Sequence, residues 1–170
     1  MKPPILTLAA AALIGGCAIA FAQTNVGTFK QWNVFVSNEA DGKLCFIASQ
    51  PTDSKYSQSV RGRDPAFFMI TSIPAKDIHD EASTIIGYPF APNSEVTVEV
   101  DGKKFKMFTS ESQGDTAWAV AEQQAAMIAA MKAATKMTVQ GQSKRGTTAT
   151  DTYSLLGVTA ALDKLAAECP

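Results

Sequence analysis

The stretch 95–109 constrains the fold more than any other part of this chain. Val96, Val98 and Val100 alternate with Glu95, Thr97 and Glu99, and Asp101-Gly102 then supplies two residues that tolerate the positive φ angles of a type I′ turn. Residues 103–109 form the return strand. A two-residue loop leaves no freedom of register, so Val98 falls opposite Phe105 and Val96 opposite Met107, while Glu99 meets Lys104 and Thr97 meets Lys106. Apolar pairs on one side and opposite charges on the other describe an antiparallel hairpin with one buried face.

The same period of two recurs elsewhere. Residues 31–37 set Trp32, Val34 and Val36 against Asn33 and Phe35, and 43–49 follow after Asp41-Gly42, which predicts a second hairpin. Residues 66–73 form a short apolar run ended by Pro74, consistent with a buried strand. Residues 50–63 are polar and aperiodic and are expected to be an exposed loop. Two further strands are expected at 136–141 and 147–155.

Two segments change period. Residues 117–134 are dominated by Ala, a strong helix former, with Ala121, Ala125, Ile128 and Met131 proposed as the buried stripe. In 157–168, Val158, Ala161, Leu162, Leu165 and Ala166 recur at helical spacing, and Cys169 continues that face. The expected class is therefore mainly β with two helices: an antiparallel, sandwich-like α+β domain with one helix after Trp118 and another at the C-terminus.

The N-terminus reads as an export signal. Lys2 precedes an apolar run from Ile5 to Ile19, and Ala20-Phe21-Ala22 forms an A-x-A site before Gln23. The run is shorter than the roughly 20 apolar residues needed to span a bilayer. The expected division is a signal peptide over 1–22 and one domain over 23–170, with cleavage between Ala22 and Gln23. A rival reading stays open: Ile14-Gly15-Gly16-Cys17 resembles a lipobox, in which Cys17 would be acylated and would tether the protein to a membrane. Either way, Cys45 and Cys169 remain as the cysteines of an exported chain. An even count in an oxidising compartment, with Cys169 on the buried face of the last helix, points to a Cys45–Cys169 disulfide; two buried free thiols are the alternative.

Charge narrows the partners. The formal net charge is −1, and the basic residues are scattered with no aromatic interleaving, so nothing favours nucleic acid or an anionic membrane. Membrane association would follow only from lipidation of Cys17, and a monomer is the expected state.

Trp32 and Cys45 on early strands, Gly87-Tyr88-Pro89, the Val-Asp-Gly-Lys-Lys-Phe hairpin, Ala117-Trp118, Ala130-Met131-Lys132, Arg145-Gly146-Thr147, Thr152-Tyr153-Ser154-Leu155 and the terminal Cys169 together resemble the invasion-associated locus B family. The resemblance spans essentially the whole chain after the signal. It implies an exported alphaproteobacterial protein with a β-sandwich-like domain carrying helices. The family is named for members associated with invasion of host cells, notably red blood cells, and any link to host-cell interaction or virulence rests on that resemblance alone. It transfers no catalytic residue.

The residues themselves offer little chemistry. The single histidine lies in Asp77-Ile78-His79-Asp80-Glu81, and one imidazole falls short of the usual catalytic zinc sets, so a solvated polar loop is the expectation there. No G-x-S-x-G elbow occurs; residues 141–146, around Ser143, miss it by one position and read as a turn between strands. No Walker loop, G-x-G-x-x-G or C-x-x-C appears after the signal. Tyr88-Pro89-Phe90 reads as a plug at the core edge, Lys103, Lys104 and Lys106 as a solvated strand face, and Arg61-Gly62-Arg63-Asp64 receives no function. The expected protein is non-enzymatic, without catalytic, metal or cofactor residues. It would reside in the periplasm or cell envelope and act through contacts with an envelope protein. A small-ligand carrier with a pocket between sheet and helices is the alternative, and a hydrolase a more remote one.

Overall fold

The computed structural model describes residues 23–110 and 114–170; the expected signal peptide, with Ala22 and Cys17, lies outside them. The strands are β1 (Thr24–Phe29), β2 (Trp32–Glu39), β3 (Gly42–Ser49), β4 (Asp53–Tyr56), β5 (Phe67–Ile73), β6 (Ile78–Ile85), β7 (Glu95–Val100), β8 (Lys103–Thr109), β9 (Thr116–Ala119), β10 (Lys136–Gln142) and β11 (Thr148–Ser154). Helix α1 spans Ala121–Ala133 and α2 spans Val158–Glu168. All eleven strands join one antiparallel sheet in the order β1-β2-β3-β5-β6-β9-β8-β7-β10-β11-β4.

That sheet is folded over on itself. In a flat sheet, strands six places apart, as β5 and β11 are, would lie about 29 Å from each other. Instead Phe68 on β5 meets Tyr153 on β11 edge to face at 6.0 Å, and Trp32 on β2 donates from Nε1 to the carbonyl of Ser154 at 3.0 Å. The sandwich-like expectation is met by a single bent sheet whose halves share the Trp32–Phe68–Tyr153 cluster.

The β7–β8 hairpin has the register that its turn dictates, with Val98 opposite Phe105, Val96 opposite Met107, Glu99 opposite Lys104 and Thr97 opposite Lys106. Asp101 and Gly102 both have positive φ, at 46° and 78°. β2 and β3 pair as the second hairpin, with Trp32, Val34, Cys45 and Ile47 fully buried.

Four strands were not legible. The 50–63 stretch is not all loop: β4 pairs with β11 at the sheet's edge, where exposure of most of its side chains erases the apolar period. The Asp77–Glu81 stretch is not a loop either: from Ile78 onward it is the start of β6, with His79 and Asp80 exposed. β1 carries Gly27 and a bulge and buries little. β9 takes the first part of the Ala-rich segment, so the helix begins at Ala121 rather than 117.

The stripe on α1 also differs. Met127, Ile128 and Met131 are buried, whereas Ala121 and Ala125 face solvent. The cause lies in where β9 stops. β9 pairs with β6 only at Ser83, Thr84 and Ile85, and α1 takes over from there. Gln124 accepts from the Ala82 amide and donates to the His79 carbonyl, while Gln123 accepts from the Lys106 amide. The first turn of α1 thus satisfies backbone groups that a longer β9 would have paired.

Helix α2 buries Val158, Ala161, Leu162 and Leu165 as its spacing requires; Ala166, at the edge of that stripe, is exposed. Cys169 follows on the buried side and is bonded to Cys45. Lys43 reinforces the junction by donating to the Glu168 carbonyl at 2.6 Å and to its carboxylate at 3.0 Å. Gly157 precedes the helix at φ 94°, and a Cβ there would sit 2.1 Å from the Phe29 carbonyl oxygen, so only glycine permits this approach of α2 to β1.

Candidate functional site

Two surface features stand out, one polar and one apolar. The polar one is built around Arg63, to which the sequence analysis assigns no function. Its guanidinium forms two parallel hydrogen bonds to Asp151 on β11, Nη1 to Oδ1 at 2.8 Å and Nη2 to Oδ2 at 2.5 Å. The two side chains are 9% and 1% exposed. Arg63 also donates from Nε to the Ile86 carbonyl and from Nη1 to the Tyr56 hydroxyl, and lies 5.5 and 5.3 Å from the ring centroids of Tyr56 and Tyr88. Burial opposes its charge, but the bonds to Asp151 and Tyr56 outweigh that and raise its pKa further above the ordinary range. Burial likewise pushes the Tyr88 phenol up to about 12. Both therefore hold fixed protonation states at neutral pH.

This bracing assembles a cleft from three segments far apart in sequence. The Asp64 amide bonds the Gly87 carbonyl, the Lys144 amide bonds the Pro89 carbonyl, and Gln58 donates to the Thr147 hydroxyl at 2.7 Å. Residues 58–64, 87–89 and 143–147 thereby border a groove of about 570 Å³, with Arg61, Lys144 and Arg145 at the walls. Phe90 is buried and Tyr88 packs against the core, as expected of a core-edge plug. Residues 143–147 form the turn between β10 and β11.

The apolar feature is the outer face of the sheet. Cys45 bonds α2, so its neighbour Phe46 points away from the helices, and the register carries that face across the sheet. Ala48 pairs with Met69, Met69 with Ser83, Ser83 with Trp118, and Trp118 with Phe108. Phe35 stacks on Phe46 at one end at 5.0 Å, and Phe108 lies 6.0 Å from Trp118 at the other. Phe108 is 53% exposed, and Phe35, Phe46, Met69 and Trp118 are half-buried. A groove of about 440 Å³ opens beside Phe35 and Phe67. The strand periods around Phe35, Phe46, Met69 and Phe108 were legible, but β6 and β9 were not, and the alignment of these residues into one band needed the strand order.

The remaining candidates stay apart. His79 lies in a shallow cleft beside α1, 3.5 Å from the Asp77 carboxylate, whereas Ser143 lines the basic cleft and accepts from the Thr147 amide. The structure does not bring them together. Among the described residues no group of three or more His, Cys, Asp or Glu side chains is placed to hold a metal. The space between sheet and helices is filled by Met127, Met131, Leu162, Leu165 and the side chains they meet. Among the described residues, no helix is long and apolar enough to cross a membrane.

A bent antiparallel sheet carrying two helices, closed by a disulfide between a core strand and the terminal helix, defines a disulfide-stapled α+β domain. The model of the Invasion associated locus B (IalB) protein family matches residues 32–166, and the chain belongs to that family. Among solved structures it is similar to the crystal structure of invasion associated protein B from Bartonella henselae, with a TM-score of 0.56 and 15% identity. The match covers 84% of this chain and 96% of that one, and at this identity the likeness is one of fold. Comparison with curated proteins finds no significant match.

Proposed function

We propose that this chain is a non-enzymatic, exported protein of the periplasm or cell envelope that works by docking another envelope protein on its outer sheet face. The observation that carries this reading is the band from Phe35 and Phe46 through Met69 to Trp118 and Phe108. Aromatic and Met side chains left partly exposed on five of six adjacent strands, with the small, buried Ser83 between Met69 and Trp118 on the sixth, resemble the composition of protein interfaces. Export is supported by the N-terminal sequence and by the disulfide, which persists in oxidising compartments. The filled interior argues against a carrier with a pocket between sheet and helices, and the separation of His79 from Ser143 argues against a hydrolase. A role in contact with host cells rests only on the family's name.

In-cell photo-crosslinking tests the reading. A photoreactive residue at position 118 is expected to capture a discrete envelope protein, and one at position 132, on the exposed side of α1, is not. Equal capture from both positions, or none from 118, contradicts it.

A further inference from the structure

The basic cleft is a second site, independent of the outer face. Six of the fourteen lysines and arginines among the described residues are ion-paired, Lys43 and Lys164 with Glu168, Arg63 with Asp151, Lys76 with Asp41, Lys104 with Glu99 and Lys106 with Glu95, and of the remaining eight most stand singly on the surface. Arg61, Lys144 and Arg145 instead converge on one cleft and form no ion pair among the described residues. A single carboxylate, Asp64, lies among the lining residues. Three cations against one acid along one groove raise the local concentration of anions.

The cleft is also held ready. Arg63 is clamped by Asp151 and by two tyrosine rings, and Gly87 comes so close to Asp64 that a Cβ would lie 2.1 Å from its carbonyl oxygen. The positions of 61, 144 and 145 are thus set by a framework whose own charges are satisfied, so a ligand would not have to order it. Most of its lining residues, including Arg61, Pro89, Lys144 and Arg145, are exposed, which makes it an open groove rather than an enclosed chamber. A volume near 570 Å³ suits a ligand of several residues, and the half-buried ring of Tyr88 offers an apolar wall between charged contacts.

The geometry points to this groove as the binding site for an acidic peptide segment, whose Asp or Glu carboxylates engage Arg61, Lys144 and Arg145 while its backbone lies along Tyr88 and Pro89. Guanidinium groups favour carboxylates through two-point hydrogen bonding, and two of the three cations are arginines. An open groove fits an extended chain better than a compact anion.

Fluorescence anisotropy of a rhodamine-labelled peptide of alternating Glu and Gly, about six residues long, tests this on the full exported protein. Binding is expected to weaken with added salt. It should fall by about tenfold or more in Lys144→Glu/Arg145→Glu but by less than about threefold in Lys132→Glu/Lys136→Glu, which carries the same change of net charge elsewhere. Arg61→Glu alone serves as the second variant should the double one fail to fold. No binding at low salt, or equal losses in the two double variants, overturns the proposal. Displacement of the peptide by inorganic phosphate at comparable concentration also overturns it, because the site would then be one for small anions. Crosslinking from position 118 is unaffected by any of these outcomes, so failure here leaves the outer-face reading standing.

Discussion

Arg63 and Asp151 lie 88 residues apart in sequence and meet fork to fork at the middle of β11, with both charges nearly out of solvent. Removing one partner strands the other. Asp151→Asn and Arg63→Met are each expected to destabilise the domain by about 3–5 kcal/mol, while Arg63→Met/Asp151→Leu should recover part of the loss, because no uncompensated charge then remains buried. Urea unfolding of the three variants checks the order.

Cys169 closes a separation of 124 residues with Cys45. The Trp32–Phe68–Tyr153 core does not depend on that bond, so Cys169→Ser should remain folded and melt several degrees lower, at a cost below the chain-entropy limit of about 5 kcal/mol. Hydrogen exchange should show the loosening concentrated in α2, whose C-terminus the bond fastens. Two free thiols in protein recovered from the periplasm without reductant would contradict the disulfide.

The hairpins were legible because each rests on information local in sequence, and the disulfide because an even cysteine count behind an export signal met a Cys169 placed by local helical spacing. A two-residue Asp-Gly turn fixes the β7–β8 register, and the spacing from Val158 to Leu165 fixes the face that leads to Cys169. β4 was hidden because an edge strand exposed on most of its side chains shows no alternation, and β9 because Ala117 and Ala119 merge with the helix that follows. Neither surface feature was readable. Arg63 acquires its role from β11, and Trp118 becomes the neighbour of Phe108 only once β9 is inserted between β6 and β8.

Gly157 brings the start of α2 against the Phe29 carbonyl of β1. Gly157→Ala must hold a left-handed conformation and also push a methyl into the Phe29 carbonyl. A loss of more than about 1–2 kcal/mol is expected, since that range covers the left-handed backbone alone. Thermal melting of this variant beside Gly102→Ala, where nothing lies within 4 Å of the added Cβ, separates the clash from the conformational cost.

Glu168 titrates below its ordinary value of 4.5 because Lys164 and then Lys43 hydrogen-bond its carboxylate. A depressed folded-state pKa means that the contribution is present above about 4.5 and is lost as pH falls through the lower folded value. Protection of the last turn of α2 should therefore weaken below about pH 4.5, and Glu168→Gln should flatten that dependence. Hydrogen exchange across the acid range reads this directly.

The outer sheet face carries the central claim, and its most direct test is the size of the native complex. Wild-type protein solubilised gently from its own cell envelope is expected to migrate on a native gel with a partner. Phe108→Ser/Trp118→Ser should migrate as a free monomer with an unchanged fold by circular dichroism. A wild-type protein that is already free, or a folded variant that stays in the complex, would contradict the account.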